Sequence, residues 1–211
     1  MLKKILAVLV VLIAIFAAVA AMQPSEFNVS RETTIAATPA DIFPYVNTSR
    51  AWESWSPWAN IDPNAKFTYE GTEAGVGAIT HWTGNMEVGT GTSTITESIA
   101  NERVKYQLDF VKPMEGTSIS EFILVPADGG TKVTWTMSGH NNFVAKAMSL
   151  IMNCEKMIGE QFDKGLANLK VLAESAPAAA TEADAEVTSA DDEEEAEVAP
   201  AAEIKGEAAT E

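Results

Sequence analysis

Apolar side chains dominate the first 22 residues of the chain. Lys3 and Lys4 precede residues 5–22, an apolar run without charge, glycine or proline. As a helix this run spans about 27 Å, close to the hydrocarbon thickness of a bilayer. We therefore expect residues 1–23 to be a membrane anchor, with the rest of the chain on the periplasmic or extracellular side. A cleaved signal peptide, which would leave the domain secreted, is the alternative; the length of the run favours the anchor.

Residues 26–137 show the alternation of apolar and polar positions that is typical of strands with one buried face. In the clearest case, Val104, Tyr106, Leu108 and Phe110 alternate with polar or charged residues. Similar patterns, separated by turn residues rich in Gly, Asn and Asp, predict seven strands. These strands lie near Glu26–Ile35, Lys66–Tyr69, Ala78–Thr83, Met86–Glu97, Arg103–Lys112, Thr117–Val125 and Thr131–Met137.

Helix signals follow the first strand and the last one. Thr38 and Asp41 form a weak capping box, which predicts a short helix to about Val46. A second short helical stretch is expected at 50–55. Apolar residues spaced three and four apart predict one long helix over 142–173.

This order of elements is strand, two short helices, six strands and one long helix. Tight turns between consecutive strands make the sheet antiparallel, and the segregated helices make the domain α+β. We expect residues 24–174 to form this domain, with the long helix covering the apolar face of a curved sheet. A gap between such a sheet and helix can hold a ligand.

Most of the chain's net negative charge lies at its C-terminus. Residues 173–211 hold one lysine and 13 acidic residues, or −12 of the chain's net charge of −16. Residues 175–211 contain no aromatic residue, so we expect an acidic disordered tail whose partner is unknown. The acidic balance argues against binding nucleic acid. One cysteine and two histidines predict no metal site, and no motif indicates a cofactor.

Several motifs between residues 26 and 172 carry a family resemblance. The clearest are Ile35-Ala36-Ala37-Thr38-Pro39-Ala40-Asp41-Ile42-Phe43, Trp52-Glu53-Ser54-Trp55-Ser56-Pro57-Trp58, Gly75-Val76-Gly77-Ala78 and Gly130-Thr131-Lys132-Val133-Thr134-Trp135. With them the chain resembles the SRPBCC superfamily, related to START and pollen-allergen-like proteins, and in particular its polyketide cyclase/dehydrase branch. The resemblance implies a helix-grip fold, in which a seven-stranded antiparallel sheet grips a C-terminal helix. It also implies an apolar cavity that binds a hydrophobic molecule.

Two groups of residues are candidates for that cavity. The side chains expected to line it are Trp82, Tyr106, Leu108, Phe110, Trp135, Met137, Met148 and Met152. Three tryptophans at a spacing of three, Trp52, Trp55 and Trp58, are candidates for its mouth. Alternatively, the first group fills an ordinary hydrophobic core, and the tryptophans pack the short helices onto the sheet edge.

Acid–base candidates are few. Glu87 and Glu121 fall within predicted strands and His140 follows the last one, but outward, solvated side chains are the more frequent case for such positions. We therefore assign no catalytic residue and expect a membrane-anchored, non-catalytic domain that binds a hydrophobic small molecule or lipid. The alternatives are a cyclase/dehydrase-like enzyme and a protein-interaction or envelope module with a filled cavity.

Overall fold

The computed structural model describes residues 1–176, which form four α-helices, two 3₁₀ helices and seven strands. The helices are α1 (Leu2–Ala21), α2 (Pro39–Asn47), α3 (Phe143–Ser149) and α4 (Cys154–Ser175), and the 3₁₀ helices are Ser49–Ser54 and Pro57–Asn60. The strands are β1 (Glu26–Ile35), β2 (Lys66–Gly71), β3 (Ala78–Thr83), β4 (Thr90–Ile99), β5 (Arg103–Lys112), β6 (Gly116–Ala127) and β7 (Gly130–His140). The acidic tail predicted for 175–211 lies, from residue 177 onward, outside the described residues.

All seven strands join one antiparallel sheet in the order β1-β7-β6-β5-β4-β3-β2. Neighbours in the chain are neighbours in the sheet, except that β1 pairs with β7, where Val29 lies opposite Met137. The α+β helix-grip prediction, with a curved sheet around a C-terminal helix, is thereby confirmed.

The strand register shows which turns and strand ends lie together at each end of the sheet. At one of them β1 begins directly after α1, and Glu26 pairs with His140, the last residue of β7. The same end holds the β3–β4 turn between Thr83 and Thr90 and the β5–β6 turn, since Lys112 pairs with Thr90. We call this the α1 end.

The core lies between the sheet and α4. Phe162, Leu166 and Leu169 project from α4 and are buried, and the Phe162 ring stacks on Trp135 with ring centroids 3.9 Å apart. Gly165 permits this approach, because a Cβ atom there would lie 2.7 Å from the Trp135 ring.

The single long helix predicted for 142–173 is wrong, because the chain breaks between α3 and α4. Asn142 caps α3 by accepting a hydrogen bond from the Ala145 amide, and Asn153 caps α4 by accepting one from the Lys156 amide, each at 2.9 Å. A side-chain cap starts a new helix, so Leu150–Asn153 interrupts the run although its apolar spacing continues.

The predicted strand near Met86–Glu97 begins too early. Asn85 accepts hydrogen bonds from the amides of Glu87 and Val88, which is an Asx turn, so β4 starts only at Thr90. The capping box predicted before α2 is present, with Thr38 and Asp41 bonding each other's backbone amides.

Helix α1 is long and apolar enough to cross a membrane, with a mean hydropathy of 2.9, and within it only Ala20 is buried. A signal peptide has the same properties. Anchoring by residues 5–22 therefore stays a prediction.

Candidate functional site

A cavity of about 290 Å³ lies between the inner face of the sheet, the 3₁₀ helices and the first turns of α4. Its volume is at the lower limit of the range of about 300 to 1,000 Å³ that is usual for small-molecule pockets. Most of its wall is apolar. Six of the side chains expected to line it do so: Trp82, Tyr106, Leu108, Phe110, Trp135 and Met137.

Met148 and Met152, also expected in the lining, do not contribute to it. Met148 lies on α3 and Met152 in the link to α4, and both side chains are exposed. The break in the predicted long helix is the reason, since the residues before it do not continue the face of α4 that meets the sheet. The helix contributes Ile158 and Phe162 instead.

The three tryptophans lie at and between the two 3₁₀ helices, where a spacing of three places side chains on one side. Trp55 is 1% exposed and belongs to the core, and it does not line the cavity. Trp52 and Trp58 are half-buried and form part of the wall, and both pack edge-to-face on Trp135. The trio therefore packs the short helices onto the sheet, as in the alternative considered above, while two of its members also face the cavity.

Three polar atoms of the aromatic wall, on Trp52, Tyr106 and Trp135, bond to the protein itself. Trp52 Nε1 donates to the Tyr106 hydroxyl at 3.0 Å, and that hydroxyl donates to the Val46 carbonyl. Trp135 Nε1 donates to Ser120 Oγ at 2.9 Å. Because desolvation by burial disfavours the phenolate, the pKa of Tyr106 is raised well above its ordinary value. The wall thus presents ring faces and edges to the cavity.

A polar pair, Glu53 and Tyr69, lies where the first 3₁₀ helix and β2 meet the cavity. Tyr69 donates a hydrogen bond to the Glu53 carboxylate, and both residues line the cavity. The Arg50 guanidinium lies over the Tyr69 ring, 4.3 Å from its centroid. Burial, followed by the bond to Glu53, raises the pKa of Tyr69 well above its usual range. The Glu53–Tyr69 pair can form a hydrogen bond with the polar end of a ligand.

Sequence reasoning missed the Glu53–Tyr69 pair. The alternation of Phe67 and Tyr69 in β2 offered a signal for one partner, since both line the cavity. Nothing local connects Glu53 to β2, because the two elements meet only in the folded chain.

The three acid–base candidates do not reach the cavity lining. Glu87 is exposed in the β3–β4 turn rather than within a strand, and His140 is exposed at the end of β7. Glu121 is in β6 as predicted, but its neighbours Ser120 and Phe122 take the inner face. Glu121 therefore points outward, 3.6 Å from Arg103 Nε and 3.9 Å from Lys105 Nζ.

The outer face of the sheet carries charge pairs rather than a site. Glu97 bonds Lys105 at 3.1 Å and Arg103 at 2.6 Å. The hydrogen bond from Lys105, and then the charge of Arg103, lower the pKa of Glu97. His81 bonds Thr92 and Glu70 on the same face. Within residues 1–176 no group of three His, Cys, Asp or Glu side chains is placed to hold a metal ion.

The helix-grip sheet has counterparts in known proteins. Residues 26–174 match the model of the family described as polyketide cyclase/dehydrase and lipid transport. The chain belongs to this family. The superfamily resemblance found in the sequence is thus confirmed, and membership supports a ligand-binding domain of the SRPBCC type. No curated protein matches the chain.

Solved structures share the fold of this family member at low sequence identity. Protein CV1439 from Chromobacterium violaceum is 16% identical, with a TM-score of 0.52 over 73% of this chain and 100% of its own. The Aha1 dimer from Colwellia psychrerythraea is 20% identical, with a TM-score of 0.52 over 71% of this chain and 97% of its own. The di-domain ARO/CYC protein StfQ from the steffimycin biosynthetic pathway is 10% identical, with a TM-score of 0.55 over 71% of this chain and 51% of its own. These likenesses concern the fold alone.

Proposed function

We propose that this domain binds a hydrophobic small molecule or lipid in its cavity, that α1 holds it at the membrane, and that it catalyses no reaction. The observation that carries the proposal is the cavity itself. Its wall is mostly aromatic and aliphatic, and the indole nitrogens of Trp52 and Trp135 are bonded within the protein. An apolar ligand gains from leaving water there and displaces no hydrogen bond of the wall.

The volume limits the ligand. A space of about 290 Å³ suits a compact apolar molecule or part of an acyl chain better than a whole phospholipid. The Glu53–Tyr69 pair supplies one polar contact, which favours a ligand with a hydroxyl or amine at one end.

The test is native mass spectrometry on the full chain, extracted in mild detergent from the membranes of its host. A retained adduct that partitions into organic solvent supports the proposal and reports the ligand class. An unliganded mass, unchanged after incubation with vesicles of phosphatidylethanolamine and phosphatidylglycerol, contradicts it. Recovery of the uncut chain in the membrane fraction tests the anchoring separately.

One observation favours an enzymatic alternative of the cyclase/dehydrase type. The Glu53 carboxylate lines the cavity, where a general base would stand. Glu53→Gln separates the two functions. A carrier keeps the bound molecule unchanged in both proteins, whereas an enzyme accumulates in the variant a compound that the wild type converts.

A further inference from the structure

Exposed apolar side chains concentrate at the α1 end of the domain. Nine of them lie in the turns at that end, at the end of β5, on α3, in the α3–α4 link or in the first turn of α4: Met86, Val111, Met114, Phe143, Val144, Met148, Ile151, Met152 and Met157. Ile151 is 73% exposed and Met86 76%. Isolated exposed apolar residues need no explanation, but a cluster of this kind marks a surface that contacts a membrane, a protein or a ligand.

Helix α3 is apolar although it does not pack into the hydrophobic core. None of its seven residues is buried, and Phe143 and Val144 are each 54% exposed. In residues 143–157 two lysines, Lys146 and Lys156, oppose one acidic residue, Glu155, for a net charge of +1 in a chain of −16. This segment is therefore suited to the polar boundary of a membrane.

The same surface is fixed next to the end of α1. Helix α1 packs against α3, and only the four residues 22–25 separate α1 from β1. The backbone N–H of Asn141 donates to the Ser25 carbonyl, and Lys146 Nζ donates to Ser25 Oγ, each at 2.8 Å. These bonds hold α3 at the point where the chain leaves the apolar helix.

We propose that α3 and the α3–α4 link, together with the tips of the β3–β4 and β5–β6 turns, dock into the interfacial region of the bilayer that α1 enters. The inference rests on the anchoring by α1 proposed above. A four-residue connection leaves the domain little freedom to move away, and the surface it presents to the membrane is the one whose apolar side chains are exposed.

Docking in this orientation points the cavity toward lipid. Several cavity side chains lie within three residues of the α1 end of their strands, including Phe67, Trp82 and Phe110. Ile158 lines the cavity directly after the exposed Met157. A hydrophobic ligand would then pass between bilayer and cavity at this end with little exposure to water.

The test measures lipid contact in the full chain. In a Cys154→Ser background, a single cysteine is introduced by Val144→Cys or Ile151→Cys and labelled with an environment-sensitive fluorophore. Val76→Cys and Val125→Cys are matched controls, because both valines are exposed at the opposite end of the sheet. Each protein is placed in nanodiscs of phosphatidylethanolamine and phosphatidylglycerol that contain nitroxide-labelled phospholipid.

We expect the nitroxide to quench labels at 144 and 151 several-fold more strongly than labels at 76 and 125. Equal, weak quenching at all four sites in protein retained by nanodiscs overturns the docking and leaves the anchoring in place. A blue-shifted but unquenched label at 144 and 151 also overturns it, in favour of a covering protein or second copy. Loss of the chain from the nanodisc fraction overturns both anchoring and docking, while adducts in native mass spectra test the ligand independently.

Discussion

The indole nitrogen of Trp52 donates a hydrogen bond of 3.0 Å to the hydroxyl of Tyr106 at the inner wall of the cavity. The same hydroxyl donates to the Val46 carbonyl near the end of α2. One buried phenol thus joins β5 to α2 and to the first 3₁₀ helix, which lie more than fifty positions earlier in the chain. The contact holds Trp52 against the wall. It gives the Tyr106 hydroxyl a structural role, rather than the role of a hydrogen-bonding partner for a bound molecule.

Replacement of that hydroxyl is expected to destabilise the fold. Tyr106→Phe leaves the Trp52 N–H and the Val46 carbonyl without their buried partner, at a cost of about 1 to 3 kcal/mol. Thermal unfolding of the full chain in detergent measures it. Tyr45→Phe is the matched control. Trp55 Nε1 donates to the backbone oxygen of Tyr45, and the substitution keeps that oxygen. Equal melting temperatures for the two variants would contradict the structural role of the hydroxyl.

Bulk added to the cavity is expected to exclude the ligand. Ser93 lines the cavity, whereas Thr94, the next residue of β4, does not. Ser93→Leu should therefore abolish the adduct in native mass spectra, because the new side chain occupies the ligand's space. Thr94→Leu places the same side chain on the other face of the strand and should keep the adduct. An adduct of equal abundance in both variants would place the ligand elsewhere.

A methyl group at Gly91 is expected to disturb the cavity wall. A Cβ there would lie 2.6 Å from both a Trp82 ring atom and the Asp109 backbone oxygen. Since the β5 backbone is held by its neighbours, Gly91→Ala should cost about 1 to 3 kcal/mol through overpacking and lower the melting temperature. Gly116→Ala meets no atom within 4 Å and serves as the control. A variant at 91 that melts with the wild type would show that both the Trp82 ring and the β5 backbone at Asp109 yield to the added methyl group.

Acidic pH should remove the stabilisation that the ion pairs of Glu97 give to the fold. Lys105, and then Arg103, hold the pKa of this carboxyl below its ordinary value of 4.5. A lowered folded-state pKa means that the pairs stabilise the fold above the unfolded-state pKa and lose this effect as pH falls through the folded-state value. Glu97→Gln should therefore lower the melting temperature near neutral pH, and the difference from wild type should vanish progressively below pH 4.5.

The exposed turn residue Glu102 provides the control for this titration. Glu102→Gln should change the melting temperature little at any pH. High salt should reduce the Glu97 effect, because the pairs are partly exposed and ions screen them. A difference between Glu97→Gln and wild type that persists unchanged at acidic pH would assign the effect to packing instead.

Much of the fold could be predicted because its signals are local. In β5 the alternation that places Tyr106, Leu108 and Phe110 on one face is a property of the extended backbone. The capping box of Thr38 and Asp41 likewise depends on atoms three residues apart. The same locality explains the errors, since apolar spacing continues through the break before Asn153 and apolar residues extend into the turn that follows Asn85.

The sequence by itself determined which side chains share a face of each strand or helix and the order of those elements, because backbone periodicity and capping act over a few residues. Only the tertiary structure decided what each face meets. It joined Glu53 to Tyr69 across two elements, turned Glu121 toward Arg103 and away from the cavity, and placed α3, none of whose residues is buried, beside α1. Glu53 meets Tyr69, and Glu121 meets Arg103, only when separate elements pack or pair. Helix α3 meets α1 only because β1 pairs with β7, at the other end of the chain, and no local pattern depends on these contacts.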